Sequence, residues 1–340
     1  MPLQPTDIPK VAEEAKHNRT KNSSTSDQPL IVLVGPTASG KSALTLTLAE
    51  EFSGEIVSCD SVAVYRGMEI GAAKPTLDER ARIPHHMIDI AWPNEPCTAG
   101  DYSRLARDAI RGIAQRNRLP VVSGGTGLYL RALLDGLFPG PPRQEFLRDI
   151  LRQRVLLHGS ERLHRILARL DPTAAQRIHA NDSPKIIRAI EVTLAARQPI
   201  TQQWKQPRNP LTGFRVLSLG LNPPRADLYA RINRRAARMF DPPDQGGGLV
   251  EETAQIIARY GEECRPLTSL GYAQAVALLR GEITRDQAIA QAQQGHRNYA
   301  KRQLTWFRKD PAIRWLPGFG SDEEIVQQAS ALVVQLLKTQ

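Results

Sequence analysis

Apolar positions along the chain follow two rhythms, short unbroken runs and helical repeats. Leu30-Ile-Val-Leu-Val34 is an unbroken run closed by Gly35, which predicts a buried strand. Ser42 to Phe52 follows with Leu44, Leu48 and Phe52 at helical spacing. A second strand is predicted over Glu55 to Cys59, then a loop from Asp60 to about Pro75, a helix from Tyr102 to Arg116 and a strand from Leu119 to Ser123. Strands alternating with helices predict a parallel sheet covered on both faces. From about Pro139 to Arg208 the rhythm is helical only, with joints at Pro141-Pro142, Pro172, Pro184 and Pro199, as in a helical insertion. The strand pattern returns at Phe214 to Leu221, followed by a basic helix from Arg225 to Met239. Beyond a flexible joint at Gly246-Gly247-Gly248, helices dominate, ending with Asp286 to Lys309 and Asp322 to Leu337. Between those two lies a short strand-like piece, Ile313 to Leu316, and no internal repeat is visible. The outline is a tail over 1–28, an α/β core over 29–138 and 211–318, a helical insertion over 139–210 and a C-terminal helix over 319–340.

Composition narrows the class. A chain of 340 residues has room for about two domains, and 41% hydrophobic with 24% charged residues is ordinary for a globular protein. No apolar run approaches the ~20 residues of a membrane span. Cys59, Cys97 and Cys264 lie far apart without a CxxC pair, which excludes a disulfide framework and a zinc finger. The first 28 residues are polar, contain the run Asn22-Ser-Ser-Thr-Ser-Asp27, and predict a disordered tail. They hold no apolar leader, and Glu13 and Glu14 argue against a transit peptide, so the reading is a soluble protein of the reducing cytoplasm.

Charge adds a partner class. Lys and Arg total 45 against 35 Asp and Glu, a net +10. Residues 131 to 240 alone carry 20 cations and 8 acids, a surplus of 12 that suggests a polyanion. Arg162, Arg165 and Arg169 read individually as a solvated helix face.

Gly35-Pro-Thr-Ala-Ser-Gly40-Lys41-Ser42 matches GxxxxGK[ST] between a predicted strand and a predicted helix. Its glycines let the backbone form a nest of N–H donors, the helix N-terminus adds positive potential, and Lys41 supplies a point charge. The Ser42 hydroxyl can ligate Mg²⁺. Loops of this kind mostly serve phosphoryl transfer, which also needs a second acidic metal ligand after a neighbouring strand. Leu119 to Ser123 runs instead into Gly124-Gly125-Thr126-Gly127, which offers no carboxylate. The other strand does end in Asp60, either a metal ligand or a base facing the substrate. Gly124 to Gly127 is a tight turn or, at the end of a strand in an open sheet, a ligand-binding one. On the basic helix, Arg231, Arg235 and Arg238 share a face from which a guanidinium reaches an anionic leaving group. The late helix interleaves His296, Arg297, Tyr299, Lys301, Arg302, Gln303 and Trp306, a pattern suited to phosphate contact and base stacking, although Trp306 itself is expected in the core. His85-His86 is not read as a metal pair, because adjacent residues point to different sides.

Taken together, seven blocks in order carry a resemblance: Gly35 to Ser42, Asp60-Ser-Val-Ala-Val-Tyr-Arg-Gly-Met68, Ile70-Gly-Ala-Ala-Lys-Pro75, His85-His-Met-Ile-Asp89, Gly124-Gly-Thr-Gly-Leu-Tyr129, Asn181-Asp182 with Arg188-Ala-Ile-Glu-Val192, and Ala300-Lys-Arg-Gln-Leu-Thr-Trp306. From about residue 30 to 317 the chain resembles the bacterial tRNA dimethylallyltransferase (tRNA isopentenyltransferase) family. The resemblance implies a P-loop α/β sheet with an all-helical insertion domain, acting as a monomer on the anticodon stem-loop of tRNA. It implies that Gly35, Pro36, Thr37, Ala38, Ser39, Gly40, Lys41 and Ser42 hold the diphosphate of dimethylallyl diphosphate with Mg²⁺, or a nucleotide such as ATP. The acceptor would be N6 of the adenosine 3′ of the anticodon, at tRNA position 37, flipped into a channel. Asp60 would be the general base, Thr126 would assist the departing diphosphate and Arg235 would bind it. Contacts to tRNA would come from Asp60, Ser61, Val62 and Ala63, from Thr126 and Arg148, from Pro184, Lys185, Ile186, Ile187 and Arg188, and from Thr268 to Ala273 with Gly271 and Tyr272. Arg302 and Gln303 join them on the late helix.

The chain departs from the family pattern in two places. Ala63 stands where a Gln is usual, and Gly271-Tyr272 is followed by Ala273-Gln274 rather than by a basic residue. Two other readings use the same loop. A small-molecule kinase would turn over ATP but leaves the basic segment and late helix unexplained. An adenylate isopentenyltransferase would use the same donor with a free nucleotide, and such relatives generally lack a basic C-terminal module.

Overall fold

The computed structural model describes residues 27–241 and 247–338. Most of the expected tail and Gly246 of the glycine joint therefore lie outside the described residues. Two units make up the fold, one with described residues 27–96, 109–125, 212–241 and 247–338, the other with 97–108 and 126–211.

The first unit is built on β1 (Gln28–Val34), β2 (Gly54–Cys59), β3 (His85–His86), β4 (Leu119–Gly124), β5 (Phe214–Leu221) and β6 (Arg314–Leu316). They form one sheet in the order β3-β2-β4-β1-β5-β6, parallel at every pairing. β1 begins at Gln28, inside the segment expected to be tail, because its backbone N–H bonds the Gly213 carbonyl (2.8 Å). Two residues without an apolar run give no sequence signal, so β3 was not anticipated. Helix α1 (Lys41–Glu51) returns from β1 and packs Leu44 and Leu48 against Ile31, Leu33 and Leu219. Ile325, Ala329 and Val333 of the last helix, Glu323–Lys338, enter the same core. The segment read as a separate C-terminal helix is thus part of the sheet unit.

Register decides where the chemistry goes. Val34 pairs with Gly124 of β4 and Gly220 of β5, and Cys59 pairs with the same Gly124. The carboxyl ends of four strands are therefore level, at the edge where ligands of open α/β sheets bind. This alignment needs glycine at 124, where a Cβ would lie 2.1 Å from the Cys59 carbonyl oxygen.

In chain order the helices continue with α2 (Leu77–Arg82), α3 (Ala99–Gln115) and α4 (Gly127–Leu134), whose last two contribute to the second unit. That unit takes in 97–108 and 126–138 beside the expected helical insertion, because α4 packs on residues 97–108. Tyr102 stacks on Tyr129 (4.3 Å between ring centres), Ser103 donates to the Ala132 carbonyl (2.6 Å) and Arg107 to that of Leu133 (2.9 Å). The rest is α5 (Glu145–His158), α6 (Ser160–Leu170), α7 (Pro172–Arg177), α8 (Ser183–Ala196) and α9 (Ile200–Gln203). Pro172 and Pro184 sit in first turns behind the N-caps Asp171 and Asp182, where a missing N–H costs nothing. Leu151, Leu163, Leu167, Ile186, Ile190 and Ile200 form the core.

Inside it, fully buried Glu191 accepts from Arg148 Nε and Nη2 (both 2.8 Å), Arg188 Nη1 (2.6 Å) and the Gln144 N–H (2.7 Å). Burial alone would raise its pKa, but these donors hold it down to about 2. Glu191→Ala leaves two half-covered guanidinium groups facing each other, and breaking such a cluster is expected to cost about 3 kcal/mol of stability, read by urea denaturation. Because the folded carboxylate is held low, its stabilisation is present at neutral pH and fades as pH falls from about 4 towards 2. An unchanged midpoint in Glu191→Ala at pH 7 would contradict this assignment.

Candidate active site

A cleft open to solvent lies at the level strand edge of the first unit. Thr37, Lys41, Ser42, Asp60, Gly124, Gly125 and Arg235 are among its lining residues. The loop leaving β1 turns into α1 at Gly40, whose φ of +86° is left-handed and natural only for glycine. Its bareness serves packing as well, since a Cβ there would lie 2.9 Å from the Gly320 nitrogen. Gly320 in turn donates its N–H to the Ser39 carbonyl (2.9 Å), so a segment near the end of the chain forms the floor of the loop. Lys41 curls back and donates to the carbonyls of Gly35 (3.0 Å) and Pro36 (2.8 Å). The Thr45 hydroxyl ties this turn to β4, bonding the Lys41 carbonyl and the Ser123 hydroxyl at 2.7 Å each.

Asp60 follows β2 directly. Its Oδ1 accepts from the N–H groups of Val62 (2.8 Å) and Ala63 (3.2 Å), a local turn that fixes the carboxylate at the strand end. Arg235 comes from α10 (Arg225–Phe240) and donates to the Thr37 hydroxyl (3.1 Å). The three arginines read as one face part company. Arg231 lies over the Phe319 ring (3.6 Å) and donates to Ser321 (3.3 Å), while Arg238 is exposed. Burial and then the charge of Arg235 lower the Lys41 ammonium to about 7, against the opposing pull of Asp60. Burial lowers Arg235 too, and Asp60 again opposes. His296, read from sequence among phosphate-contacting cations, is instead buried; desolvation and Arg235 bring it to about 4, so it is neutral at pH 7.

The later helices are α11 (Leu249–Tyr260), α12 (Tyr272–Leu279), α13 (Arg285–Phe307) and the last helix, α14, and Tyr299 and Gln303 of α13 line the cleft. Glu252 of α11 accepts from the N–H groups of Glu69 (2.9 Å) and Ile70 (2.8 Å) and from the Tyr272 hydroxyl (2.6 Å). Tyr272, expected to touch tRNA, is fully buried in this clamp, its ring where a Cβ on Gly71 would be. Lys74 bonds Glu69 (2.7 Å) and Asp89 (2.5 Å), and Arg80 bonds the same two acids. His86 pairs with Glu55 (2.7 Å) and His85 with the Ile83 carbonyl (2.8 Å).

Other expected tRNA contacts divide by exposure. Pro184, Lys185, Thr268 and Arg302 are exposed, and Ser61 and Val62 partly so. Ala63, Ile186 and Ile187 are buried, and Gly271 is buried at the start of α12. Arg148 and Arg188 are occupied by Glu191. Gln303 is 5% exposed and turned inward, with both ends of its amide bonded to protein. Trp306, expected in the core, is 43% exposed, and Arg302 stands over the Tyr299 ring (5.7 Å). Thr126 is the N-cap residue of α4 in the second unit and follows Gly125 in the chain.

Among the described residues no group of three His, Cys, Asp or Glu converges on a metal position. An exposed Ser42 hydroxyl in the cleft, at the first turn of α1, suits Mg²⁺, a hard cation usually shared between a few protein oxygens, phosphate oxygens and water. The arrangement is a polyanion cradle with a carboxylate at its rim. Since Lys41 titrates near 7, it is largely neutral at pH 8 and an arriving anion restores its proton. Calorimetry of Mg²⁺–pyrophosphate binding at pH 8 in buffers of different ionisation enthalpy should show about one proton fewer taken up by Lys41→Met than by the unmodified chain. Equal proton counts would refute the depressed ammonium.

Comparison with known proteins gives this geometry a family. The chain matches the IPP transferase family over residues 63–310. It is 60% identical to the tRNA dimethylallyltransferase of Koribacter versatilis (strain Ellin345) over 92% of this chain and 99% of that one. It is 51% identical to the tRNA dimethylallyltransferase of Solibacter usitatus (strain Ellin6076), over 91% and 99%. The crystal structure of the tRNA isopentenylpyrophosphate transferase from Bacillus halodurans superposes with a TM-score of 0.67 at 35% identity, covering 92% and 97%. A eukaryotic dimethylallyltransferase acting on tRNA shares the fold, with a TM-score of 0.76 at 24% identity over 92% and 80%. With its phosphate loop, its level strand edge and this identity along nearly the whole length, the chain belongs to the IPP transferase family.

Proposed function

We propose that this protein transfers the dimethylallyl group of dimethylallyl diphosphate to N6 of adenosine 37 in tRNA, giving N6-isopentenyladenosine. The observation that carries the reading is one cleft lined by residues of the phosphate loop, the cations Lys41, Lys74 and Arg235, and a single carboxylate, Asp60, at the end of β2. Support for tRNA as acceptor comes from the relatives' activity and from the exposed Arg302 and Trp306 on α13. None of the three cysteines is in a disulfide, which suits work in the cytoplasm. No helix among the described residues is long and apolar enough to cross a membrane.

The chemistry follows from what each group can do. An adenine amino group is a weak nucleophile, because its lone pair is delocalised into the ring. Asp60 accepts its proton as the N6–C1 bond forms, the kind of assistance worth about 10²–10⁴ in rate. As the C1–O bond breaks, charge grows on the diphosphate, in the cleft that Lys41 and Arg235 line. Mg²⁺ held at Ser42 would add charge neutralisation on the diphosphate oxygens when bound. A base inside a stacked anticodon loop cannot reach such a carboxylate, so the adenosine is extruded first.

Single-turnover transfer from radiolabelled dimethylallyl diphosphate to an anticodon stem-loop tests the reading, with AMP and ATP in parallel tubes. Label on the stem-loop is expected. Label only on AMP, or ATP consumed without transfer, would overturn it. Asp60→Asn should slow the single-turnover rate by at least ~100-fold while stem-loop affinity stays within a few-fold. A variant that retained most of its rate would remove Asp60 as the base.

A further inference from the structure

We propose that Gln303 is a positioning residue of the diphosphate site, a strut that sets Thr37 and, through it, Arg235. The proposal rests on the reading of the cleft as a diphosphate site. Gln303 lies on α13 and is almost wholly buried. Its Oε1 accepts the Thr37 N–H (2.8 Å), and its Nε2 donates to the Gly125 carbonyl (3.0 Å). One amide thus spans the two loops that leave β1 and β4. Its orientation is dictated by its partners, since an N–H requires the oxygen end and a carbonyl requires the nitrogen end.

The neighbours are arranged around this span. Gly125 has no Cβ, and one would lie 2.0 Å from Gln303 Nε2. Tyr299, one turn earlier on α13, brings its hydroxyl 3.3 Å from the same Gly125 carbonyl. On the loop side, the Thr37 hydroxyl accepts from Arg235. The chain of contacts therefore runs Gly125, Gln303, Thr37, Arg235, and its far end is the guanidinium that lines the cleft. A carboxamide offers a donor and an acceptor side by side on one planar group, which matches the N–H and the carbonyl that Gln303 meets. Glu cannot donate to Gly125, and Met of the same length does neither. A glutamine in a run of cations reads as surface, yet here the outward side of the helix carries Lys301 and Arg302 while position 303 faces the loops.

The test is Gln303→Met in the full chain, read by calorimetry with Mg²⁺–pyrophosphate, by single-turnover transfer and by stem-loop affinity. Pyrophosphate affinity is expected to fall about tenfold and the transfer rate up to ~100-fold, the scale of a misplacement of about 1 Å, with stem-loop affinity unchanged. Gln303→Glu is expected not to rescue, because the donor to Gly125 is missing. A Gln303→Met chain that binds pyrophosphate like the unmodified one overturns the strut, as does a variant that loses stem-loop affinity alone. If the unmodified chain binds no pyrophosphate, the diphosphate reading fails and the strut with it. Should Gln303→Met not fold, Thr37→Val keeps the strut and removes only the hydroxyl that holds Arg235. A tenfold loss that vanishes in an Arg235→Ala background supports the chain of contacts. No loss, or the same loss in both backgrounds, overturns it.

Discussion

In a parallel sheet every strand must arrive from the same end, so all the loops that leave it crowd one edge. The common alignment of Val34, Cys59, Gly124 and Gly220 at that edge is the constraint on which the site depends. The phosphate loop, Asp60 and Gly125 each begin one residue beyond an aligned strand end. A slip of one residue in β2 would turn Asp60 to the other face. The contact of Gly124 with the Cys59 carbonyl guards against it, because any side chain at 124 would force those two strands apart.

Electrostatics adds a second constraint. Lys41 and Arg235 are two desolvated cations, the charge of Arg235 lowers Lys41 further, and Asp60 is the charge that relieves both. The same carboxylate that would take the adenine proton therefore also favours the charged forms of the two cations. His296 can lie beside Arg235 because it gives up its own proton. The arginine surplus tells a related story. Arg148 and Arg188 neutralise Glu191 and Arg231 stacks on Phe319, so part of the positive charge between residues 131 and 240 is met within the protein. A count along the chain overstates what a polyanion could meet.

Much of the sheet could be read from the chain, since β5 runs over Phe214–Leu221 as expected and β1, β2 and β4 each lie within two residues of their predicted ends. Those strands are unbroken apolar runs, and burial on both faces leaves a signal that needs no partner to interpret. The phosphate loop could be read too, because its glycines answer local backbone demands. What could not be read depends on partners distant in sequence. β3 is two histidines held by β2, α4 follows a glycine turn too short to show a repeat, and Glu191 looks like any helix glutamate until two arginines close on it. The burial of Gln303 and Tyr272 could not be read from the chain either. The pattern of a helix gives the spacing of its faces, but not which face looks inward when both carry polar residues.

The floor of the phosphate loop is laid by residues nearly three hundred positions downstream, where Gly320 bonds Ser39 and Phe319 and Ser321 hold Arg231. Synthesis proceeds from the other end. For most of the time the ribosome spends on this chain, the loop exists without its support, and α10 has no ring on which to lay its arginine. A nascent chain can form its first strand and helix early, yet it has no competent anion cradle until almost everything else has emerged. A chain stopped before residues 319–321 would therefore lack both the backbone bond to Ser39 and the ring beneath Arg231.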